Sequence, residues 1–573
     1  MFFLEMYKNP KECFTAFKQP YVTKNWFILY IATLFTITIL VFVFLKRDQT
    51  VNYKQDDGTH GTATWMSAQT AKNVLGVGLN KGIIFGKMAE GGLLGLIKPK
   101  PIVTLPPKTY FNRNVAIFGA SGSMKSRAYV RNNILQMASE GHSIIVTDPK
   151  GELFQDTSLF LESRGYNVKA YNLSNMQHSD RWNPIAEVKN DIDAQLFAEV
   201  VIANTKMPGS KGSDPFWDRG EQNLLKALVM FVVNEYPEGE RNLPSVYSLL
   251  ASSSPKHVDK IFSGLPLNHP AKMPYNIYAQ ANETVRTGII IGLGTRLQVF
   301  QNNLVQQLAE TSDMDLTLPG QEKCAYFAIV PDTDSTFDFL AGLFFSFLFI
   351  NLTRYADLNG GKCDKEVYFL LDEFPNIGAI PDFTKKISTI RSRGIHSSVI
   401  FQNIAQLKNR YPNDAWQEII GNCDSRLFLG ATDYATAQFV SDLLGQSTVE
   451  DTASTTRAGL EGLFDFGRVT KRVSKRNLLN PDEILRLPHK NAILILRGQE
   501  PVLLEKMDYT THPLAKKLQS RKIKDYKPTW SDSFRESRQL YQKPVIQPKT
   551  QTAYDLPEDD NYKEPEQKAN MFW

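Results

Sequence analysis

The hydrophobic pattern begins with one long apolar run, followed by short apolar runs between polar turns. Residues 26–45 (WFILYIATLFTITILVFVFL) contain no charge, glycine or proline. A helix of that length spans about 30 Å, the hydrocarbon thickness of a bilayer. Trp26 lies at one end and Lys46 follows the other, as interfacial anchors do. The pattern predicts a single transmembrane helix over 26–45, preceded by an N-terminal segment over 1–25.

Short buried strands alternate with helices further along the chain. Residues 46–108 are polar, then Gly-rich, then Pro-rich, and predict a connector to the membrane. Strand, glycine-rich turn, helix and strand then follow one another from residue 114, which favours a parallel sheet covered on both faces. Residues 109–187 and 301–519 are therefore predicted to form one α/β domain, with strands over 114–118, 143–147, 324–330, 366–371, 397–401, 426–429 and 491–496.

Two other regions differ from this pattern. Residues 188–300 show helical periodicity, as in EQNLLKALVMFVVNEY at 221–236, and few strand signals. They predict an all-α insertion in the α/β domain. Hydrophobicity falls from about residue 520, and the acidic stretch at 555–566 contains prolines. Residues 520–573 are predicted to be a disordered charged tail.

Composition narrows the classes of protein. The chain has 573 residues, 42% of them hydrophobic and 22% charged, which is ordinary globular composition and excludes a wholly disordered chain, a collagen and a heptad rod. Four distant cysteines exclude a disulfide scaffold, and no H-x-x-x-H pair supports metal hydrolase chemistry. The net charge of +5 is compatible with anionic partners without being diagnostic of them.

The first chemical motif is a phosphate loop. Residues 119–126 read GASGSMKS, directly after one predicted strand and before a helix, as G-x-x-x-x-G-K-[ST] requires. Lys125 would neutralise the β- and γ-phosphates, and the Ser126 hydroxyl would ligate Mg²⁺. Met124 stands where the motif has its second glycine, and a chance Gly/Ser-rich turn is the alternative. The predicted nucleotide-binding residues are Gly119, Ala120, Ser121, Gly122, Ser123, Met124, Lys125 and Ser126.

The second motif is an acidic strand end at 367–373 (VYFLLDE). In phosphate-loop ATPases a buried strand ends with an Asp that orders Mg²⁺, here Asp372, and the next Glu polarises the attacking water, here Glu373. A strand ending in a solvated acidic turn is common for either motif alone. Both motifs in this order predict an ATPase that uses ATP and Mg²⁺.

Three further residues are candidates for catalysis. Gln402 ends the strand at 397–401, where it would sense the γ-phosphate or simply cap a loop. Arg391 and Arg393 lie on a predicted helix before Gly394. Either would serve as an arginine finger for a neighbouring subunit, or would be solvated at the surface.

The motifs together resemble a known family. Besides the two motifs above, they are DPKGEL at 148–153, DPFW at 214–217, RGI at 393–395 and LLNPDEILRLP at 478–488. About residues 60–515 are similar to the coupling proteins of type IV secretion, the TraG/TraD-like conjugation ATPases, most of all the branch on mobile elements of Gram-positive bacteria.

The resemblance implies a RecA-like motor domain with an inserted all-α domain, assembled as a homo-hexamer on the cytoplasmic face of the cell membrane. It also implies the partners: a relaxase, single-stranded DNA and the subunits of the secretion channel. The implied task is to recruit the relaxase–DNA complex and drive single-stranded DNA into that channel. An ATP-dependent receptor for protein effectors and a non-hydrolysing docking platform, the latter motivated by Met124, are the alternatives.

Overall fold

A sheet of twelve strands organises most of the molecule. The computed structural model describes residues 29–38, 58–78, 81–89, 100–205, 215–252, 254–333, 335–455, 468–528 and 530. The strands of this sheet are β1 Gly76–Val77, β2 Ile83–Met88, β3 Ile102–Leu105, β4 Val115–Gly119, β5 Ser143–Thr147, β6 Asn167–Asn172, β7 Cys324–Ile329, β8 Val367–Leu371, β9 Ile395–Phe401, β10 Ser425–Gly430, and, after a separate hairpin, β13 Asn491–Leu496 and β14 Val502–Glu505.

The strand order shows which part of the sheet agrees with the predicted parallel arrangement. It runs β1-β3-β2-β14-β13-β10-β4-β9-β8-β5-β7-β6. The seven strands from β10 to β6 are parallel, and the pairs from β10 to β1 are antiparallel. The expectation of a parallel sheet therefore holds for seven strands and is wrong for the mixed sheet as a whole. Every residue of β4, β5 and β8 is buried, as strands covered on both faces require.

The predicted connector at 46–108 is partly a piece of this sheet. β1, β2 and β3 come from it and form the antiparallel edge, next to β14. The glycines and prolines of this region predict a linker. Gly86 instead allows two strands to approach each other closely. A Cβ on Gly86 would lie 2.7 Å from the backbone oxygen of Glu505. Such pairing depends on distant residues, which no local pattern reports.

The described residues also form α-helices. They are α1 Leu29–Thr38, α2 Ala68–Val74, α3 Arg131–Glu140, α4 Glu152–Ser163, α5 Asp191–Asn204, α6 Pro215–Glu235, α7 Leu243–Ala251, α8 Pro255–Ser263, α9 Lys272–Ala279, α10 Glu283–Arg296, α11 Asn303–Leu308, α12 Asp338–Leu358, α13 Phe383–Thr389, α14 Ile404–Arg410, α15 Ala415–Gly421, α16 Tyr434–Leu444 and α17 Pro481–Leu485. A π-helical turn at Lys125–Val130 leads into α3.

The segment predicted as an all-α insertion contains α5 to α10. Within its described residues, 188–205, 215–252 and 254–300, there is no strand. Polar side chains start these helices: Asn190, Asn242, Ser254 and Asn282 each accept a hydrogen bond from the backbone N–H three residues on. The local sequence thus specifies where the helices begin.

Two helices bear on the membrane prediction. α12 is long and apolar enough to cross a bilayer, but 78% of its most apolar window is buried, and Phe349 stacks on Phe369 of β8 at 4.2 Å. It is a core helix. Of the predicted span at 26–45 the structure describes α1, whose large apolar side chains are 50–67% exposed. The remainder of that span, and the predicted N-terminal segment at 1–25, lie outside the described residues.

The chain divides into two compact units. One comprises Met1–Trp65 and Ala437–Ile484, and the other comprises Met66–Thr436 and Leu485–Trp573. The first unit contains the hairpin of β11 Gln446–Thr455 and β12 Arg468–Asn477, paired in register over ten residues of each strand. The sequence predicts that residues 301–519 belong to the α/β domain. The hairpin lies within this range but belongs to the first unit, not to the unit that contains the twelve-stranded sheet.

The start of the predicted disordered tail is ordered. Trp530 is only 6% exposed and donates from Nε1 to the Ser179 oxygen at 2.8 Å. Tyr526 donates from its hydroxyl to Asp180 at 2.6 Å, and Arg521 pairs with Glu162 at 2.7 Å. The boundary at 520 is therefore wrong, because aromatic residues bury this segment against the sheet domain. Residues 531–573 lie outside the described residues.

Candidate nucleotide-binding site

The ends of four neighbouring strands form one cleft. The phosphate loop (119–126) follows β4, Gln402 follows β9, Asp372 follows β8 and Asp148 follows β5, and these strands are adjacent and parallel. Ligands of open α/β sheets bind at this edge. The cleft encloses about 370 Å³, and its lining includes residues 120–126, Asp148, Asp372, Glu373 and Gln402.

The phosphate loop wraps closely around its own lysine. A Cβ on Gly119 would lie 2.6 Å from Ser123 Oγ and 2.7 Å from Lys125 Cγ, so only glycine fits there. Gly122 has φ +75°, which is the left-handed region. Lys125 is 8% exposed, and its stem is held against the loop while the ammonium reaches the cleft. The backbone thus forms the turn that a phosphate cradle needs.

Met124 departs from the sequence motif in a specific way. Its backbone is left-handed, with φ 71° and ψ 24°, so the position does require what glycine offers most easily. The methionine Cβ is therefore accommodated here without a right-handed helical backbone. The loop keeps its turn with a methionine in a conformation that costs an L-residue about 1–2 kcal/mol.

Lys125, Glu373 and Gln402 are linked through one carboxylate oxygen. Lys125 Nζ lies 3.0 Å from Glu373 Oε1, and Gln402 Nε2 donates to the same oxygen at 3.0 Å. Glu373 also has a left-handed backbone, with φ 54°. Conformations of this kind collect at functional sites, where the surrounding structure holds them in place. Gln402 therefore lies next to the acidic strand end, and its role toward the γ-phosphate stays a prediction.

The residues predicted to hold Mg²⁺ lie within contact of each other. Ser126 Oγ donates to Asp372 Oδ2 at 2.9 Å, and Asp372 is 5% exposed. The other oxygen of this carboxylate, Oδ1, is buried without a hydrogen-bond partner. A buried orphan carboxylate oxygen beside a hydroxyl is the oxygen-rich donor set that Mg²⁺ prefers. Ser126 and Asp372 therefore fit the metal.

A second buried carboxylate shares this edge. Asp148 is 2% exposed and accepts from the Phe154 backbone N–H at 2.8 Å. Burial, together with the charge of Asp372, raises the pKa of Asp148 to about 7. Burial and the adjacent Glu373 raise the pKa of Asp372 to about 6. Both carboxylates line the cleft, so a cation bound there would favour their charged forms.

The structure places Arg391 and Arg393 away from this cleft. They precede β9, so they lie at the opposite edge of the sheet from the phosphate loop. Arg393 pairs with Asp357 at 2.7 Å, and Arg391 donates to the backbone oxygen of Tyr110 at 2.9 Å. They do not belong to the site of their own chain, and a role toward a neighbouring subunit stays a prediction.

The sequence motifs missed three charged residues of the cleft: Arg127, Arg131 and Asp332. Arg127 and Arg131 lie in the helical turns directly after the phosphate loop. Asp332 follows β7 at the same edge as Asp148. The signal was available, because acids after buried strands and cations after a phosphate loop share the edge that binds ligands.

A phosphate loop, an acidic strand end and a parallel sheet between helices define a phosphate-loop nucleotide-binding protein. Residues 80–537 match the family model described as Type IV secretory system Conjugative DNA transfer. The chain belongs to this family, the coupling proteins of type IV secretion, which confirms the family resemblance seen in the sequence.

Curated relatives come from several bacteria. VirD4 of Rhizobium radiobacter is 26% identical over 391 residues, which cover 66% of this chain and 55% of that protein. TraG of Escherichia coli is 24% identical over 380 residues, which cover 61% of this chain and 59% of that protein. The chain thus spans little more than half the length of the curated relatives it matches.

Solved structures share the fold. The bacterial conjugative coupling protein TrwBdeltaN70 in its unbound form matches with a TM-score of 0.54 and 16% identity, over 76% of this chain and 95% of that chain. Plasmid coupling protein TrwB in complex with ADP and Mg²⁺ matches with a TM-score of 0.54 and 15% identity, over 75% of this chain and 96% of that one.

Proposed function

We propose that this chain is the membrane-anchored coupling ATPase of a conjugative type IV secretion system. It recruits a relaxase–DNA complex and uses ATP hydrolysis to drive single-stranded DNA into the secretion channel. The observation that carries this proposal is the convergence of Lys125, Ser126, Asp372, Glu373 and Gln402 at one sheet edge, in a chain of the conjugative DNA transfer family.

The chemistry follows from the contacts of Glu373. Lys125 and Gln402 both contact this carboxylate. A bound γ-phosphate attracts the Lys125 ammonium more strongly, because it carries more charge than one carboxylate. Glu373 is then free to accept a proton from the attacking water. Gln402 remains beside it and is placed to orient that water or sense the phosphate.

Mg²⁺ would be held by Ser126 and Asp372, and when bound it neutralises charge on the phosphate oxygens. Asp372 supplies the orphan Oδ1, and Ser126 must turn its hydroxyl proton away from the metal. Hydrolysis also gains from an arginine supplied by a neighbour in the ring. Arg391 suits that role better than Arg393, because an ion pair with Asp357 holds Arg393.

Membrane attachment and assembly complete the proposal. The apolar run at 26–45 would anchor the chain in the cell membrane as a single span, with the sheet domain in the cytoplasm where ATP is found. Six copies would surround the path of the DNA. We keep the division into the α/β domain, the all-α insertion at 188–300 and a tail as part of this proposal. Membership of the Gram-positive branch is likewise a proposal.

The test is transfer of the native mobile element between cells. Cells lacking this chain are complemented with the wild type, with Lys125→Ala or with Lys72→Ala, an exposed lysine on α2 that serves as the matched control. We expect Lys125→Ala to lower DNA transfer by at least about two orders of magnitude and Lys72→Ala to leave it unchanged.

Other outcomes would contradict the proposal. Normal DNA transfer with Lys125→Ala would indicate a docking platform that does not need nucleotide. Normal DNA transfer without this chain, combined with loss of protein secretion, would indicate a receptor for protein effectors.

A further inference from the structure

The hairpin of β11 and β12 is separate from the twelve-stranded sheet. Its two strands pair with each other over ten residues, which makes a ribbon about 33 Å long. Among the described residues its strand pairing beyond itself is one isolated bridge, between Thr62 and Ser447. An isolated two-stranded hairpin is marginally stable in water. A ribbon of this length is therefore expected to lie against a further surface.

Positive charge is concentrated on β12. This strand carries five cations in ten residues, whereas β11 carries two acids, Glu450 and Asp451. The cations are Arg468, Lys471, Arg472, Lys475 and Arg476. Five cations against two acids give the hairpin a net charge of +3, compared with +5 for the whole chain of 573 residues. Charge at this density indicates an anionic partner.

The cations of β12 occupy both faces of a strand edge. Among the described residues β12 pairs with no strand other than β11, so its outer edge is unpaired. Successive residues of a strand alternate between its faces, which places Arg472 and Lys475 on opposite faces. Both are exposed, whereas Arg476 is half-buried and pairs with Glu483. Long cationic side chains on either face suit a broad anionic surface along which this edge lies.

The base of the hairpin is bonded to the chain that follows the predicted membrane span. The Ala63 backbone N–H donates to the Gln446 oxygen at 3.0 Å, and the Thr448 N–H donates to the Gly61 oxygen at 3.1 Å. A Cβ on Gly61 would lie 2.2 Å from the Gln446 oxygen, so only glycine allows this approach. Both segments belong to the first compact unit. The hairpin is therefore attached to the part of the chain nearest the span in sequence.

We propose that the cationic edge of β12 docks on the anionic lipid headgroups of the cytoplasmic leaflet. The inference rests on the proposed membrane anchor at 26–45 and adds a second contact with the same membrane. Gly61 follows that span by sixteen residues, which reach at most about 55 Å. Each Lys or Arg beside an anionic bilayer strengthens binding about fivefold. Such a contact would hold the first unit in one orientation against the membrane.

Single-stranded DNA offers the same phosphate chemistry. The bilayer is favoured because the hairpin is hydrogen-bonded to the segment that follows the span, which keeps lipid headgroups within reach at all times. A DNA strand has no such link to the first unit.

The test is hydrogen exchange of the hairpin amides, with the full chain in lipid nanodiscs. One set of discs contains phosphatidylcholine alone, and the other contains about one third phosphatidylglycerol. We expect the amides of β11 and β12 to exchange at least about fivefold more slowly in the anionic discs. Salt at about 0.5 M should remove the difference, because it screens the charges. Arg472→Gln/Lys475→Gln should also remove it, while exchanging as the wild type does in phosphatidylcholine if the hairpin is intact.

Lys516→Gln/Lys517→Gln is the matched control, because both lysines are exposed and belong to the other unit. It should keep the full lipid effect. Equal exchange of the wild type in both kinds of disc would overturn the proposal, and the cations would then only prevent edge-to-edge pairing with other chains. Slower exchange caused by single-stranded DNA in phosphatidylcholine discs, without a lipid effect, would assign the edge to nucleic acid.

Failure of the docking is distinguishable from failure of the proposed function. A wild-type chain that does not enter nanodiscs would refute the membrane anchor and the docking with it. A wild-type chain that enters them without a lipid effect refutes the docking alone, and the dependence of DNA transfer on Lys125 is measured separately.

Discussion

At the residue scale, Met124 shows how this phosphate loop forms its turn without the second glycine of the motif. The sequence identifies the unusual residue, and the structure shows that its backbone stays left-handed. A methionine accepts this conformation at a cost of about 1–2 kcal/mol, whereas a β-branched residue fits it far less well. The methionine therefore lowers the local stability of the loop but leaves its turn in place.

Replacing Met124 tests this interpretation. We expect Met124→Gly to bind Mg-ATP normally and to raise the free energy of unfolding by up to about 1 kcal/mol, since relief of strain exceeds the added entropy of the unfolded chain. Met124→Val, the matched control, should lower it by more than about 1 kcal/mol. Urea unfolding followed by tryptophan fluorescence measures both. A clear loss of stability in Met124→Gly would show that the methionine side chain itself is needed.

His396 carries a second residue-scale prediction. It lies on β9 at the sheet edge opposite the nucleotide cleft, near Arg113, Glu366, Tyr368 and His142. Burial lowers the pKa of His396 to about 4, from an ordinary value of 6.5, and the Arg113 cation acts in the same direction. The folded state therefore binds fewer protons than the unfolded state between these two values.

The direction in which pH changes the folding stability follows from this difference in proton binding. Folding stability should fall as the pH drops from about 6.5 to 4, by up to about 3 kcal/mol for this group. His396→Gln cannot take up the proton, so its stability should fall less over the same window. Urea unfolding midpoints from pH 7 to pH 4 would reveal the difference. Parallel pH profiles for the two proteins would mean that the pKa of His396 is the same in the folded and unfolded states.

At the element scale, the chain after β14 packs against the sheet domain over a longer stretch than the sequence predicts. Low hydrophobicity predicts disorder from residue 520, yet Tyr526 and Trp530 hold the described residues 521–528 and 530 against the sheet domain. Two aromatic residues in a polar stretch suffice, because each buries a large area and finds a polar partner. Hydrophobicity averaged over a window of residues does not detect such isolated buried aromatic side chains.

Proteolysis tests this segment. Trp530→Ala should release it and speed tryptic cleavage after Arg521 and Lys522 at least about tenfold, because cleavage follows the population of the open form. Trp217→Ala is the matched control: Trp217 is 39% exposed and lies far along the chain in α6. Equal cleavage rates in the two variants would show that Trp530 does not hold the segment down.

At the scale of the whole molecule, local patterns predicted the buried strands and the phosphate site far better than the sheet edge. β4, β5 and β8 are apolar runs that end in chemistry-bearing residues, so one local signal reports both fold and site. β1, β2 and β3 are short, contain or border glycine and proline, and exist only through pairing with distant strands. The contact between Tyr509 and Arg131 has no local sequence signal either, because tertiary packing alone brings the two residues together.

Membrane attachment belongs to this scale as well. Deleting residues 1–48 should give a protein that is extracted without detergent, because the apolar run at 26–45 is removed while α12 stays buried in the sheet domain. The truncated chain should also assemble less readily, since the membrane no longer concentrates it in a plane. Fractionation and light scattering measure both. A truncated chain that remains integral to membranes would point to a second span.

In the proposed function, Glu373 activates water for ATP hydrolysis that is coupled to single-stranded DNA. The most direct measurement is the ATPase turnover of the full chain in detergent, with and without single-stranded DNA, for wild type and Glu373→Gln. We expect single-stranded DNA to stimulate ATP hydrolysis by the wild type. Glu373→Gln should bind Mg-ATP within about threefold of the wild type yet hydrolyse it at least about 100-fold more slowly, because an amide cannot take the proton. Hydrolysis by Glu373→Gln at the wild-type rate would contradict this role of Glu373.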